Sequence, residues 1–131
     1  MKITFIRHGE TEYNKKNLFC GLSDCNITEE SKKQAQVLQN VLPEFDMYYC
    51  SPLKRTKQTL NSIFPEAVPI IDDRIIEISL GSWEGLSKSS VDQDLRKNFR
   101  AGTYTPEGAE SSGGMTPGVE KWEDIESVVP M

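Results

Sequence analysis

Short apolar runs alternate with amphipathic stretches along most of the chain. Lys2–Arg7 is rich in Ile and Phe and precedes a His-Gly pair, which predicts a buried strand ending in a turn. Met47–Cys50 and Val68–Ile71 predict two more strands, the latter at an edge or beginning at Pro69, which has no N–H to donate. Gly9–Asn26 shows no sustained period, and we expect a long loop there.

Helical spacing of apolar residues appears in three places. Thr28 is a favourable N-cap followed by two glutamates, and Pro43 should end the helix that begins there. Ser51-Pro52 supplies an N-cap and a proline for the first turn of a second helix, which runs to about Phe64. A third helix is predicted over Ser87–Phe99, where apolar residues recur every four positions.

Strands that alternate with helices predict an α/β protein built on a largely parallel sheet. Ligands of such sheets bind beyond the carboxyl ends of the strands, where both Arg7-His8 and Ser51 are expected. From Gly102 onward the sequence is typical of loops, and Trp122, Ile125 and Val129 predict at most a last amphipathic helical turn or two. We expect a single domain over residues 1–131.

Composition excludes some classes of function. The net charge is −5 and the chain has no basic stripe that could neutralise phosphates, so we expect no nucleic acid as a partner. No apolar run could cross a membrane, and the N-terminus turns polar too early for a signal peptide, so we expect a cytoplasmic protein. The three cysteines are interpreted as reduced thiols. Cys20 and Cys25 are a poor metal pair, because the chain has one His and no second cysteine pair.

The single histidine, His8, has two interpretations. A lone imidazole most often satisfies hydrogen bonds in a core. Here Arg7 precedes it and Gly9 follows, which places a cation beside the ring and allows a ligand to approach the backbone closely. Neutral imidazole can attack phosphorus, and arginine binds phosphate oxygens in bidentate fashion. The surroundings of His8 therefore favour phosphoryl chemistry over a structural role.

Six blocks of the sequence together resemble a known family. They are Arg7–Asn14, Phe19–Asp24 with Ile27–Glu30, Ser51–Thr59, Asp73–Glu77, Leu80–Gly85 and Pro106–Ser111. In this order they resemble the histidine phosphatases and cofactor-dependent phosphoglycerate mutases. The resemblance implies a three-layer α/β/α fold with a mostly parallel central sheet. It also implies that no metal or other cofactor is needed, because arginines supply the positive charge.

The resemblance assigns roles residue by residue. His8 would be the phosphorylated nucleophile, and Arg7 and Arg55 would bind the phosphate. Asn14 and the backbone around Cys20 and Gly21 would line the substrate side. Glu77 would be the general acid that protonates the departing alkoxide.

Two of these residues also have a structural interpretation. Arg55 could be a solvated charge on a helix face, and Glu77 could be a surface carboxylate beside Arg74. Trp83 is expected to pack in the core or in a loop.

One element of the family pattern is absent from the sequence. Family members carry a second histidine at the end of a late strand, and this chain contains a single His. A missing donor to the transferring oxygens can cost roughly 100-fold in rate. The resemblance thus implies a C-terminally truncated or frameshifted member, or one completed by a partner chain. An unpaired sheet edge would admit strand exchange or edge-to-edge pairing into a homodimer.

The function we expect is that of a phosphomonoesterase acting on a small phosphate ester through a phosphohistidine. A phosphatase is favoured over a mutase, because Ile78–Gly81 follows Glu77 where mutases carry a His-Tyr stretch. The Trp83–Gly85 block resembles bacterial phosphatases, alpha-ribazole phosphatases and broad-specificity enzymes alike. The rival hypothesis is a non-catalytic member of the family that keeps the front of the pocket and binds phosphates or a partner.

Overall fold

The computed structural model describes residues 1–111 and the backbone of residues 125–129. Its strands are β1 (Ile3–Ile6), β2 (Tyr49–Cys50), β3 (Ile70–Ile71) and β4 (Ile125–Val129). Its α-helices are α1 (Glu12–Lys15), α2 (Glu29–Val37), α3 (Lys54–Ile63) and α4 (Gln93–Arg100). Short 3₁₀ turns lie at Leu38–Asn40, Asp73–Ile75, Gly81–Trp83 and Lys88–Ser90. The predicted α/β class is confirmed.

Two compact units can be distinguished from the backbone contacts. The first, which we call the helical unit, contains Thr4–Glu12 and Asp24–Ile76. The second, which we call the tryptophan unit, contains Tyr13–Ser23 and residues 77–111. Within residues 1–111, no helix combines the length and apolar character needed to cross a bilayer.

In the helical unit, α2 begins where the sequence predicts. The Thr28 hydroxyl accepts a hydrogen bond from the Ser31 N–H at 3.1 Å, so one of the unpaired donors of the first turn is satisfied. Ser31 and Ala35 lie one turn apart and are fully buried, and α2 packs against α3. Small side chains on this face allow the two helices to approach closely. The helix gives way to a 3₁₀ turn after Val37, before Pro43 is reached.

The start of α3 differs from the prediction. Its N-cap is Leu53, which makes no side-chain cap, and the helix begins at Lys54 rather than after Ser51. The Lys54 N–H donates instead to the Asp24 carboxylate at 2.7 Å, while the Ser51 hydroxyl interacts with Thr56 at 2.8 Å. A carboxylate from a distant loop thus takes the place expected of a local serine, and it also complements the helix dipole.

Strand pairing follows the βαβ pattern in part. β2 and β3 are parallel, with Tyr49 opposite Ile70, and α3 connects them. Both residues of β3 are half exposed, as expected for an edge. β1 pairs with β4, so the helical turn predicted around Ile125 and Val129 is wrong, because this β-branched segment finds a strand partner. Trp122 lies outside the described residues.

In the tryptophan unit, Trp83 is buried, with 5% of its surface exposed, as predicted. Its ring contacts Phe19, Phe99 and Tyr104, with centroids 5.1, 5.5 and 5.9 Å away. Gly81 has φ +55°, and a Cβ there would collide with the backbone at Glu107, so only glycine fits this turn.

Two further segments differ from the prediction. Gly9–Asn26 contains the short helix α1, and Thr11 forms a bridge with Ile27, because a helix of one turn leaves no periodic signal. The helix expected over Ser87–Phe99 is divided. A 3₁₀ turn precedes Asp92, whose carboxylate accepts from Asp94 N at 2.8 Å and so starts α4.

We expect Thr28→Ala to lower the free energy of unfolding by about 1 kcal/mol, because the Ser31 N–H loses its acceptor. Urea denaturation would measure the change. Gln34→Ala, an exposed position of the same helix, is the matched control and should leave the midpoint within experimental error. Equal midpoints for Thr28→Ala and the control would show that the cap contributes nothing.

Candidate active site

His8 follows β1, and its ring orientation is set by the next residue. The Nδ1 atom lies 2.7 Å from the Gly9 carbonyl oxygen. A carbonyl can only accept, so the proton of the neutral ring must be on Nδ1. The lone pair is then on Nε2. The local backbone therefore favours the tautomer that carries the lone pair on Nε2.

The peptide after His8 is tied to α3 through one hydroxyl. The Thr59 Oγ1 accepts the Gly9 N–H at 2.9 Å and donates to the Arg55 carbonyl at 2.7 Å. Gly9 and Thr59 are buried. This relay brings the His8 loop to the helix turn that carries Arg55.

Arg55 is the most deeply buried cation of the described chain, with 1% of its surface exposed. The solvated helix-face alternative for Arg55 is therefore wrong. A guanidinium shielded from water interacts more strongly with a nearby anion than one at the surface does. Arg7 belongs to the same unit and is exposed. The helical unit thus holds the predicted nucleophile, His8, and both predicted phosphate ligands.

The other predicted residues belong to the tryptophan unit. Asn14 lies in α1 and is half buried. The Cys20 thiol donates to the Ser23 carbonyl at 3.6 Å, and the Gly21 N–H donates to Glu84 at 3.0 Å. Glu77 is half buried, and its Oε1 accepts its neighbour's N–H, that of Ile78, at 2.9 Å.

The alternative interpretation of Glu77 is a surface carboxylate beside Arg74. Arg74 instead forms its ion pair with Asp72. The Nε and Nη2 atoms of Arg74 donate bidentate hydrogen bonds of 2.6–3.1 Å to the carboxylate oxygens of Asp72. Hydrogen bonds from Arg74 lower the pKa of Asp72 to about 2. Both groups lie at the surface, where such pairs add little stability.

Glu84 is a residue whose importance the sequence did not reveal, although it lies within a matched block. Its carboxylate accepts hydrogen bonds from residues 21–23 and from Leu80. Burial alone would raise the pKa of Glu84, but hydrogen bonds from Ser23, Gly21, Leu80 and Leu22 together hold that pKa below its ordinary value of 4.5. The group is an anion at neutral pH.

The sequence profile of the histidine phosphatase superfamily (branch 1) matches residues 3–127. The chain belongs to this superfamily.

Relatives within the histidine phosphatase superfamily include phosphatases and mutases. Phosphoserine phosphatase 1 of Hydrogenobacter thermophilus is 36% identical over 118 residues, which are 87% of this chain and 56% of the relative. A 2,3-bisphosphoglycerate-dependent phosphoglycerate mutase of Treponema pallidum is 37% identical over 102 residues, 71% of this chain and 41% of the mutase. The chain spans about half the length of these curated relatives.

A solved structure of the same fold is TTHB049 from Thermus thermophilus. It superposes with a TM-score of 0.74 at 27% identity, over 84% of this chain and 64% of that one. The phosphoglycerate mutase-like fold is therefore confirmed. That the chain resembles the alpha-ribazole phosphatase branch in particular stays a prediction.

Metal ligands are not gathered anywhere in residues 1–111, where no three or more His, Cys, Asp and Glu side chains cluster. The cations that the sequence assigns to the phosphate, Arg7 and Arg55, are arginines. Arg7 and Arg55 can bind the oxygens of a phosphate, and the ring of His8 can attack its phosphorus.

The Thr59 relay predicts a specific loss on substitution. Thr59→Val keeps the shape but leaves the buried Gly9 N–H without its acceptor, so we expect about 1–3 kcal/mol less stability. Hydrogen exchange at the Gly9 amide should accelerate at the same time. Thr59→Ser retains the hydroxyl and should preserve protection at Gly9. Equal exchange rates in the two variants would contradict the relay.

Proposed function

We propose that this histidine phosphatase is a phosphomonoesterase that forms a phosphohistidine on Nε2 of His8. The observation that carries the proposal is the 2.7 Å hydrogen bond between Nδ1 and the Gly9 carbonyl. It leaves the lone pair of a neutral imidazole on Nε2, as nucleophilic attack on phosphorus requires. The relative named phosphoserine phosphatase 1 supports a phosphatase.

The proposed reaction has two displacements at phosphorus. In the first, Nε2 forms a bond to phosphorus while the bond to the ester oxygen breaks, and the departing alkoxide takes up a proton. In the second, water attacks the phosphorus and returns a proton to the group that protonated the alkoxide, the bond between Nε2 and phosphorus breaks, and inorganic phosphate and the neutral ring are released. Arg7 and Arg55 stabilise the charge on the non-bridging oxygens in both steps.

The proton for the departing alkoxide is assigned to Glu77, on the basis of its place in the family signature. Asn14, Cys20 and Gly21 are assigned to the alcohol part of the ester on the same basis. The substrate class is a small phosphate ester. Because Ile78–Gly81 follows Glu77, hydrolysis is favoured over the mutase reaction of the Treponema relative.

A second candidate is a protein that binds phosphate without turning it over. The specific observation in its favour is the buried position of Arg55, whose guanidinium would attract an anion whether or not the ring of His8 reacts. The two candidates share a ligand and differ in whether Nε2 becomes phosphorylated.

We expect the protein to hydrolyse p-nitrophenyl phosphate and His8→Ala to lose that activity by a factor of at least about 100. A denaturing quench at alkaline pH, which preserves phosphohistidine, should trap one labelled site in the wild type. Lys33→Ala, an exposed position on α2, is the control. Phosphate-dependent thermal stabilisation with no label and no turnover would instead establish the binding function.

Glu77→Gln should separate substrates by their leaving groups. The amide retains an oxygen for the Ile78 N–H but cannot protonate an alkoxide. We expect kcat for β-glycerophosphate to fall by about 100-fold, and that for p-nitrophenyl phosphate, whose leaving group needs little protonation, by less than about tenfold. Equal losses with both substrates would exclude Glu77 as the acid.

A further inference from the structure

A single carboxylate organises one loop of the tryptophan unit. Glu84 accepts the backbone N–H groups of three consecutive residues, Gly21 at 3.0 Å, Leu22 at 2.8 Å and Ser23 at 3.4 Å. It also accepts the Ser23 hydroxyl at 2.5 Å and the Leu80 N–H at 3.0 Å. We call residues 21–23 the Glu84 loop.

The five donors demand a carboxylate in particular. Two ionised oxygens offer about four lone-pair positions, and they accept without carrying a proton of their own. A carboxamide would turn an NH₂ group toward some of these N–H groups, and its remaining oxygen could not serve them all. Charge-assisted bonds are also about twice as strong as neutral ones. Charge, rather than shape alone, therefore fixes the loop.

The loop backbone is shaped for this contact. A Cβ at Gly21 would collide with Oε1 of Glu84 and with the carbonyl oxygen of Ile78. Gly21 is buried, and it is the absence of a side chain that lets the carboxylate approach its N–H so closely. The glycine and the glutamate are thus two parts of one interaction.

Residues adjacent to Glu84 contact Phe19, which lies two residues before the Glu84 loop. The Trp83 ring packs on Phe19 with centroids 5.1 Å apart, and the Gly85 N–H donates to the Phe19 carbonyl at 2.9 Å. Three consecutive residues, 83–85, therefore fix the chain from Phe19 to Ser23. Cys20 and Gly21, which the proposed function assigns to the alcohol part of the substrate, lie within that stretch.

We propose that Glu84 is a positioning residue that determines affinity for the alcohol part of the phosphate ester by holding the Glu84 loop. The inference rests on the proposed function, because it takes the substrate side of Cys20 and Gly21 from there. Glu84 does not touch the transferred phosphate in this proposal. Its loss should weaken binding of the ester and leave binding of inorganic phosphate nearly unchanged.

Hydrogen exchange supplies a readout that needs no activity. In Glu84→Gln, the amides of residues 21–23 should exchange at least about tenfold faster, since each loses a charged acceptor. Glu107→Gln, an exposed carboxylate of the same unit, is the matched control and should leave these amides unchanged. Unaltered exchange in Glu84→Gln would overturn the proposal at its first step.

Binding supplies the second readout. For p-nitrophenyl phosphate, KM in an active protein or Kd by calorimetry in an inactive one should rise about tenfold in Glu84→Gln. The inhibition or dissociation constant of inorganic phosphate should change less than about twofold. Glu84→Asp, which keeps the charge, should recover part of the ester affinity.

Each outcome separates this proposal from the proposed function. Equal weakening of ester and phosphate would reveal a general structural role and overturn the inference. If the wild type binds the ester without turning it over, and binding depends on Glu84, the phosphatase is refuted and the positioning role is supported. If the wild type turns the ester over and its affinity does not depend on Glu84, the phosphatase is supported and the positioning role is refuted. A wild type that binds no ester at all would refute both.

Discussion

The candidate site depends on the two polar groups of one buried residue, Gly9. Its N–H is held by the Thr59 hydroxyl, and its carbonyl accepts the proton on Nδ1 of His8. The first bond locates the loop against α3, and the second selects the ring tautomer. A hydroxyl suits the first task because it accepts from Gly9 while donating to the Arg55 carbonyl. The position and the chemistry of the imidazole are thus fixed by the same residue.

The tryptophan unit also fixes a loop by hydrogen bonds between a side chain and backbone N–H groups. There a side-chain anion, Glu84, collects the backbone N–H groups of a loop whose own side chains contribute a single donor, the hydroxyl of Ser23. Its pKa is depressed, so the stabilisation it gives is complete above pH 4.5 and is lost as the pH falls through the folded-state value. Ordering a loop costs conformational entropy, and the hydrogen bonds that Glu84 accepts from the loop backbone offset that cost.

Local signals predicted the elements, and tertiary contacts decided their ends. Thr28 caps α2 because donor and acceptor both lie within the motif. Ser51 does not cap α3, because Asp24 supplies a charged acceptor from another loop, which no local pattern reports. The segment Ile125–Val129 has helical spacing and β-branched composition at once, and pairing with β1 decided in favour of a strand.

The same distinction explains what the sequence could say about the site. A motif predicts side chains with a chemical role, such as the roles proposed for His8 and Arg55, because chemistry restricts the residue type at such positions. It is silent about backbone donors, since every residue but proline has one. No motif therefore singles out Glu84, four of whose five donors are backbone N–H groups. Its trace in the sequence is indirect: a glycine at position 21, where the carboxylate leaves no space for a side chain.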